Sequence, residues 1–77
     1  MSQMINLGDE LLRIDPKDNR KLERSTNDGR NWYMRFPGSN VVGEFEDLMD
    51  NGDEILANTE KGLFYSKNEG RNWYRRH

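Results

Sequence analysis

Glu44, Glu46 and Asp47 stand close together in the chain. Carboxyl groups so near one another are the raw material of glycoside cleavage, which needs one acid and one base or nucleophile flanking the scissile bond. A solvated acidic face explains the same run more simply. Asp50-Asn51-Gly52-Asp53-Glu54 is rich in oxygen ligands of the kind calcium takes. It lacks the roughly twelve-residue ligand spacing of a helix-loop-helix calcium site. His77 is the only histidine and the last residue, and there is no cysteine. A histidine-based catalytic or zinc centre, a thiolate nucleophile and a disulfide framework are therefore not expected. The expectation is a chain with no catalytic residues, no metal and no cofactor, and hence not an enzyme.

A second group of residues could bind rather than react. Tyr33 and Arg35 in the first half of the chain, and Tyr74, Arg75 and Arg76 in the second, combine aromatic faces with guanidinium groups. Such patches suit sugar stacking, bases and phosphates, or an acidic protein surface. Ordinary sheet-surface residues would look the same.

The elements that position these groups follow from a repeat. Ser25-Thr26-Asn27-Asp28-Gly29-Arg30-Asn31-Trp32-Tyr33 returns as Ser66-Lys67-Asn68-Glu69-Gly70-Arg71-Asn72-Trp73-Tyr74, 41 residues later, with seven of nine positions identical. Upstream, Gly8-Asp9-Glu10-Leu11-Leu12 matches Gly52-Asp53-Glu54-Ile55-Leu56 at an offset of 44. The change of offset places three extra residues in the first hairpin, around Pro16 to Arg20. A supersecondary unit has been duplicated.

Each unit reads as strand, turn, strand, repeated turn, strand, with Val41 to Leu48 as a leading fourth strand in the second and Met4 to Leu7 as its stunted equivalent in the first. Leu12 and Ile14 share one face of a strand that ends at the turn Asp15-Pro16-Lys17-Asp18-Asn19. From Asn31 to Phe36, period-two alternation puts Trp32, Met34 and Phe36 on one face and Tyr33 and Arg35 on the other. Pro37-Gly38-Ser39-Asn40 is the best internal boundary. Val41 to Met49 favours a strand, with a short helical turn over Glu44 to Met49 as the alternative. Glu54 to Thr59 and Leu63 to Ser66 are strands joined by a tight turn at Glu60-Lys61-Gly62. The expected fold is all-β, a single small domain over residues 1–77 with two tandem antiparallel hairpin repeats, at about 4–36 and 41–76.

Physically the repeated turn is a self-contained staple. Gly29 and Gly70 fall where a compact turn requires positive φ. Asn27 and Asn68 can bond back to turn N–H groups, Ser25 and Ser66 can do so more weakly, and Trp32 and Trp73 can cover the turn with large apolar faces.

This turn resembles the Asp-box, or bacterial neuraminidase repeat, whose pattern is Ser, any, Asp, any, Gly, any, Thr, Trp. Ser25/Ser66, Gly29/Gly70 and Trp32/Trp73 match it. Asn27/Asn68 replace the family's Asp, and Asn31/Asn72 its Thr. The resemblance implies propeller-blade-like meanders in which the motif joins the last two strands, at the blade periphery and away from any active site. Sialidases that share the motif draw an arginine cluster, a Tyr-Glu pair and an acid from several blades, more than one short chain supplies. A complete propeller needs at least about four blades. Two repeats imply either an oligomeric ring of chains or a compact small fold.

Composition bounds the rest. The chain has 77 residues, 34% charged and 32% hydrophobic, which allows one domain with a modest core that a partner surface would help to bury. Residues 39–60 hold seven carboxylates and no Lys or Arg, whereas 61–77 hold five Lys and Arg against Glu69 alone. Met1 to Ile5 shows no basic region leading into an apolar run, and no stretch nears the ~20 apolar residues of a membrane span. A cytoplasmic protein is expected. Its function is expected to be protein interaction or structure, with self or another protein as partner. A lectin-like module assembled as an oligomer is the alternative. A nucleic-acid binder would need Arg20, Lys21, Arg24 and Arg30 to merge with the basic tail, and the acidic centre counts against it.

Overall fold

The computed structural model describes residues 3–76. Eight strands form two four-stranded antiparallel sheets, each a meander in which every strand pairs with its sequence neighbour. The first sheet contains β1 (Met4–Asn6), β2 (Leu11–Ile14), β3 (Leu22–Ser25) and β4 (Tyr33–Phe36); the second contains β5 (Phe45–Asn51), β6 (Glu54–Thr59), β7 (Gly62–Ser66) and β8 (Tyr74–Arg75).

Short polar side chains close the hairpins by accepting from backbone N–H groups that the ladders leave free. Asn6 Oδ1 accepts from Gly8 N at 2.8 Å, Asp15 Oδ1 from Lys17 N at 2.8 Å and Asp18 Oδ1 from Arg20 N at 3.0 Å. In the second sheet Asp50 Oδ1 accepts from Gly52 N at 3.2 Å and Thr59 Oγ1 from Lys61 N at 3.0 Å. Of the segment expected to be strand or helical turn, Phe45 to Met49 is extended in β5, whereas Val41 and Val42 lie in a turn closed by Gly43 N donating to Ser39 O at 2.9 Å, so the strand starts later than expected.

Between the sheets, the linker is anchored to both. Phe45 N donates to Asn19 O at 2.8 Å and Glu44 N to Glu60 Oε2 at 2.9 Å. Gly43 has φ +76, and a Cβ there would stand 2.7 Å from Glu60 Cγ, so only glycine passes this point without displacing the anchor.

Both sheets are irregular at one place. The β3–β4 register shifts between Leu22 and Glu23: Glu23 opposes Met34 whereas Leu22 opposes Phe36, leaving Arg35 as the extra residue of a bulge. Alternation therefore breaks at Arg35. Phe36 turns into the core while Met34 is 57% exposed, which corrects the expectation that Trp32, Met34 and Phe36 share a face. A similar shift between Phe45 and Asp47 leaves Glu46 unpaired in β5.

One core lies between the sheets. It takes Ile5, Leu12, Ile14, Leu22 and Phe36 from the first, Phe45, Leu48, Ile55, Ala57, Phe64 and Trp73 from the second, and Val42 from the linker. Burying each large apolar side chain contributes about 1.5–3 kcal/mol. Phe45 joins the halves, edge-on to Phe36 at 5.8 Å and to Trp73 at 5.4 Å between ring centroids.

Candidate functional site

The repeated turn has the same geometry twice. Ser25 Oγ donates to Asn27 Oδ1 at 2.9 Å and accepts from Gly29 N at 2.8 Å, while Asn27 Oδ1 also accepts from Asn31 N at 3.0 Å. Ser66 Oγ donates to Asn68 Oδ1 at 2.9 Å and accepts from Gly70 N at 2.9 Å, and Asn68 Oδ1 accepts from Asn72 N at 2.9 Å. In this network the Asn side chain acts only through its oxygen, as a carboxylate would. Asp28 and Glu69 hold φ of 63° and 61°, and Gly29 and Gly70 of 88° and 90°. Each motif tryptophan covers the glycine of its own turn.

The two copies differ in what surrounds them. Trp73 is 9% exposed, packs on Phe45 and donates from Nε1 to Gly70 O at 2.9 Å. Trp32 is only partly buried and carries the Arg13 guanidinium 3.9 Å over its ring; Arg13 in turn bonds Glu23 at 2.8 Å.

The cause is visible in the register. Directly opposed residues share a face of a sheet. In the first sheet the face inward to the core carries Ile5, Leu12, Ile14 and Leu22, and the outward face Leu11, Arg13 and Glu23. In the second, Leu48, Ile55, Ala57 and Phe64 point inward, and Met49, Leu56, Tyr65 and Tyr74 outward. By the repeat offsets Leu12 corresponds to Leu56, and Leu11, Arg13 and Glu23 to Ile55, Ala57 and Phe64. The two units thus pack on each other through opposite faces.

Arg35 sits at that joint. Its side chain is 4% exposed, its Nη2 bonds Glu10 Oε1 at 2.7 Å, and its Nη1 donates to Glu69 O at 2.8 Å, in the turn of the other sheet. Arg35 is therefore not part of an exposed patch with Tyr33. The expected pair of equivalent aromatic-cationic patches does not form, because the first unit's version of that face lies inward. Tyr33 is exposed at its edge, with Arg24 5.7 Å over the ring.

On the second sheet Tyr74 and Arg76 come to one face and Arg75 does not. Tyr65, which the sequence reading did not include, stacks on Tyr74 at 5.7 Å, and Arg76 lies 4.4 Å over Tyr65 while pairing with Glu54. Arg75 turns to the other side, 5.3 Å over Phe64, and donates to Lys61 O at 3.0 Å. Tyr65 was legible in principle from the register of β7 against β8 once Tyr74 was chosen.

Other candidate chemistry is dispersed. Asp47 is 6% exposed and accepts from Asn58 Nδ2 at 3.0 Å, whereas the bulged Glu46 is exposed and Glu44 lies ahead of the strand. Asp50 closes its own turn. His77 lies outside the described residues. Among the described residues no group of three or more His, Cys, Asp or Glu is placed to hold a metal ion, and no helix is long and apolar enough to cross a membrane. The depression over Tyr65, Lys67, Arg75 and Arg76 has a volume of about 260 Å³, and that over Leu7, Asp53 and Glu69 about 140 Å³. Both fall below the roughly 300–1,000 Å³ of small-molecule pockets.

Comparison with protein-family models, with curated proteins and with solved structures gives no match.

Proposed function

We propose that this chain is a non-enzymatic interaction module built from two Asp-box-like, propeller-blade-like sheets, acting by contact between protein surfaces. One observation carries the reading: each sheet leaves an outward face that mixes apolar or aromatic groups with paired charges. On the second sheet Met49, Leu56, Tyr65 and Tyr74 lie beside the Arg76–Glu54 pair, and on the first Met4 and Met34 flank Arg13, Glu23 and Trp32. Aromatic residues and arginine are enriched where proteins meet. The Asp-box-like turns serve this surface by holding strands and tryptophans in place, and no reacting group is assigned to them.

The Tyr65–Tyr74 pair beside Arg76 also favours a lectin-like second reading, in which a sugar ring lies on the exposed aromatic. Nucleic acid is disfavoured by the net charge of -2 and the seven carboxylates of residues 39–60, and Lys21, Arg71 and Arg76 each pair with a carboxylate.

A photoreactive phenylalanine analogue at Tyr65, irradiated in source cells, separates the readings when combined with a glycan array. Polypeptide adducts that vanish in Tyr74→Lys, with a silent array, are the expected result. Saccharide binding that competes away the adducts would overturn it in favour of the lectin.

A further inference from the structure

The joint between the two sheets has its complementary faces repeated, unused, on the outside of the molecule. Inside, the Leu12 face of the first unit meets the Ala57–Phe64–Trp73 face of the second. Outside, the second unit presents its own copy of the Leu12 face, with Leu56 and Leu63 corresponding to Leu12 and Leu22. The first unit presents its copy of the Trp73 face, with Leu11 and Trp32 corresponding to Ile55 and Trp73.

The charged part of the joint is duplicated as well. Arg35, held by Glu10, reaches across to the carbonyl of Glu69. Arg76, held by Glu54, stands at the same repeat position, and its side chain is 39% exposed where that of Arg35 is 4% exposed. The repeat counterpart of the Glu69 carbonyl is that of Asp28, in a turn of matching φ. In a single chain Arg76 and Asp28 belong to opposite outward faces.

We propose that a second copy of this chain completes these faces: the outward face of the second sheet docks on the outward face of the first sheet of the next copy, and Arg76 donates to the Asp28 carbonyl there. The proposal rests on the reading of the chain as a protein-contact module and names its partner. Contact of one face with a different face is heterologous, so it generates a ring if the rotation closes and a filament if it does not. With two sheets per chain, closed rings of four to eight sheets take about two to four copies. Charge fits this arrangement. The Arg13–Glu23 pair replaces the apolar Ala57 and Phe64 in the new joint, which makes it wetter than the core and compatible with a chain that folds before it assembles.

The test uses the intact chain, whose mass is 9.2 kDa. Light scattering over a concentration series is expected to give a multiple of that mass, falling to one chain in Arg76→Glu with the β-sheet circular dichroism unchanged. Geometry is read with Arg30→Cys and Asp53→Cys, both exposed and outside the proposed contact, in a chain that otherwise has no cysteine. A short flexible bismaleimide should join the two variants when mixed and neither variant to itself. Self-joining of one variant would mean a two-fold contact and overturn the head-to-tail arrangement. A monomer at every concentration would overturn the self-docking. The photoprobe at Tyr65 then separates the layers: adducts with another polypeptide preserve the contact-module reading, and sugar binding alone removes both.

Discussion

Leu12 Cδ2 lies 3.1 Å from where a Cβ on Gly70 would be, whereas a Cβ on the equivalent Gly29 would meet nothing nearer than its own Trp32 at 3.5 Å. The same turn is therefore under different constraint in each copy. Both glycines have positive φ, so alanine costs about 1 kcal/mol or more in backbone strain at either site. At Gly70 it must also displace a fully buried leucine, which adds about 1–3 kcal/mol of overpacking. Urea midpoints should order the variants Gly70→Ala below Gly29→Ala below wild type.

The tryptophans should separate likewise. Trp73→Ala removes a buried ring, its packing on Phe45 and a hydrogen bond to Gly70 O, and should cost about 3–5 kcal/mol. Trp32 lies outside the core cluster, so Trp32→Ala loses a partly buried ring over Gly29 and the stacked Arg13, a smaller loss of about 1–2 kcal/mol. Equal losses in thermal unfolding would contradict the unequal burial.

Arg35→Ala should be severe. It leaves Glu10, whose side chain is 13% exposed, without its partner, and breaking such a pair costs about 3–5 kcal/mol. The double variant Arg35→Met, Glu10→Gln should recover most of that loss, since no charge is then stranded. Arg71→Ala serves as the comparison. Its pair with Glu69 is more than half exposed on both sides, and such a bridge is worth about 0–1 kcal/mol.

Ser66→Ala removes an Oγ that both accepts from Gly70 N and donates to Asn68, at a residue with no exposed surface. A loss of about 1–3 kcal/mol is expected from the unsatisfied amide. Hydrogen exchange at the Gly70 amide should quicken more than at the amides of β6, which the variant leaves paired.

Duplication, turn positions and strand order were all legible in the sequence, because glycine, asparagine and alternating apolar residues state local geometry directly. Which face of each sheet points inward was not. Glu54-Ile55-Leu56-Ala57 is apolar on both sides of its alternation, so period two gives two faces without choosing between them. In the first sheet the bulge at Arg35 reverses the phase within a strand, and no residue type announces a bulge there. Burial of Arg35 was hidden for a related reason, since an arginine beside an exposed tyrosine reads as surface. The pairing of Glu10 with Arg35 and of Glu54 with Arg76, kept at the two repeat offsets, was the available clue.

The acidic run of residues 44–50 acquires a meaning from where β5 lies. β5 is the outermost strand of its sheet, and a strand in that place offers unpaired amides and carbonyls to any extended chain that drifts past. Here the offer is withdrawn. Glu46 is pushed out by the bulge, its carbonyl is taken by Gln3 Nε2 at 2.8 Å, and Glu44, Glu46 and Asp50 point charge into solvent. At the other end of the same sheet β8 is two residues long, too short a template for cross-β growth. Two β5 edges meeting would bring like charges together, which disfavours pairing of this edge with its own copy while leaving the sheet faces free to meet.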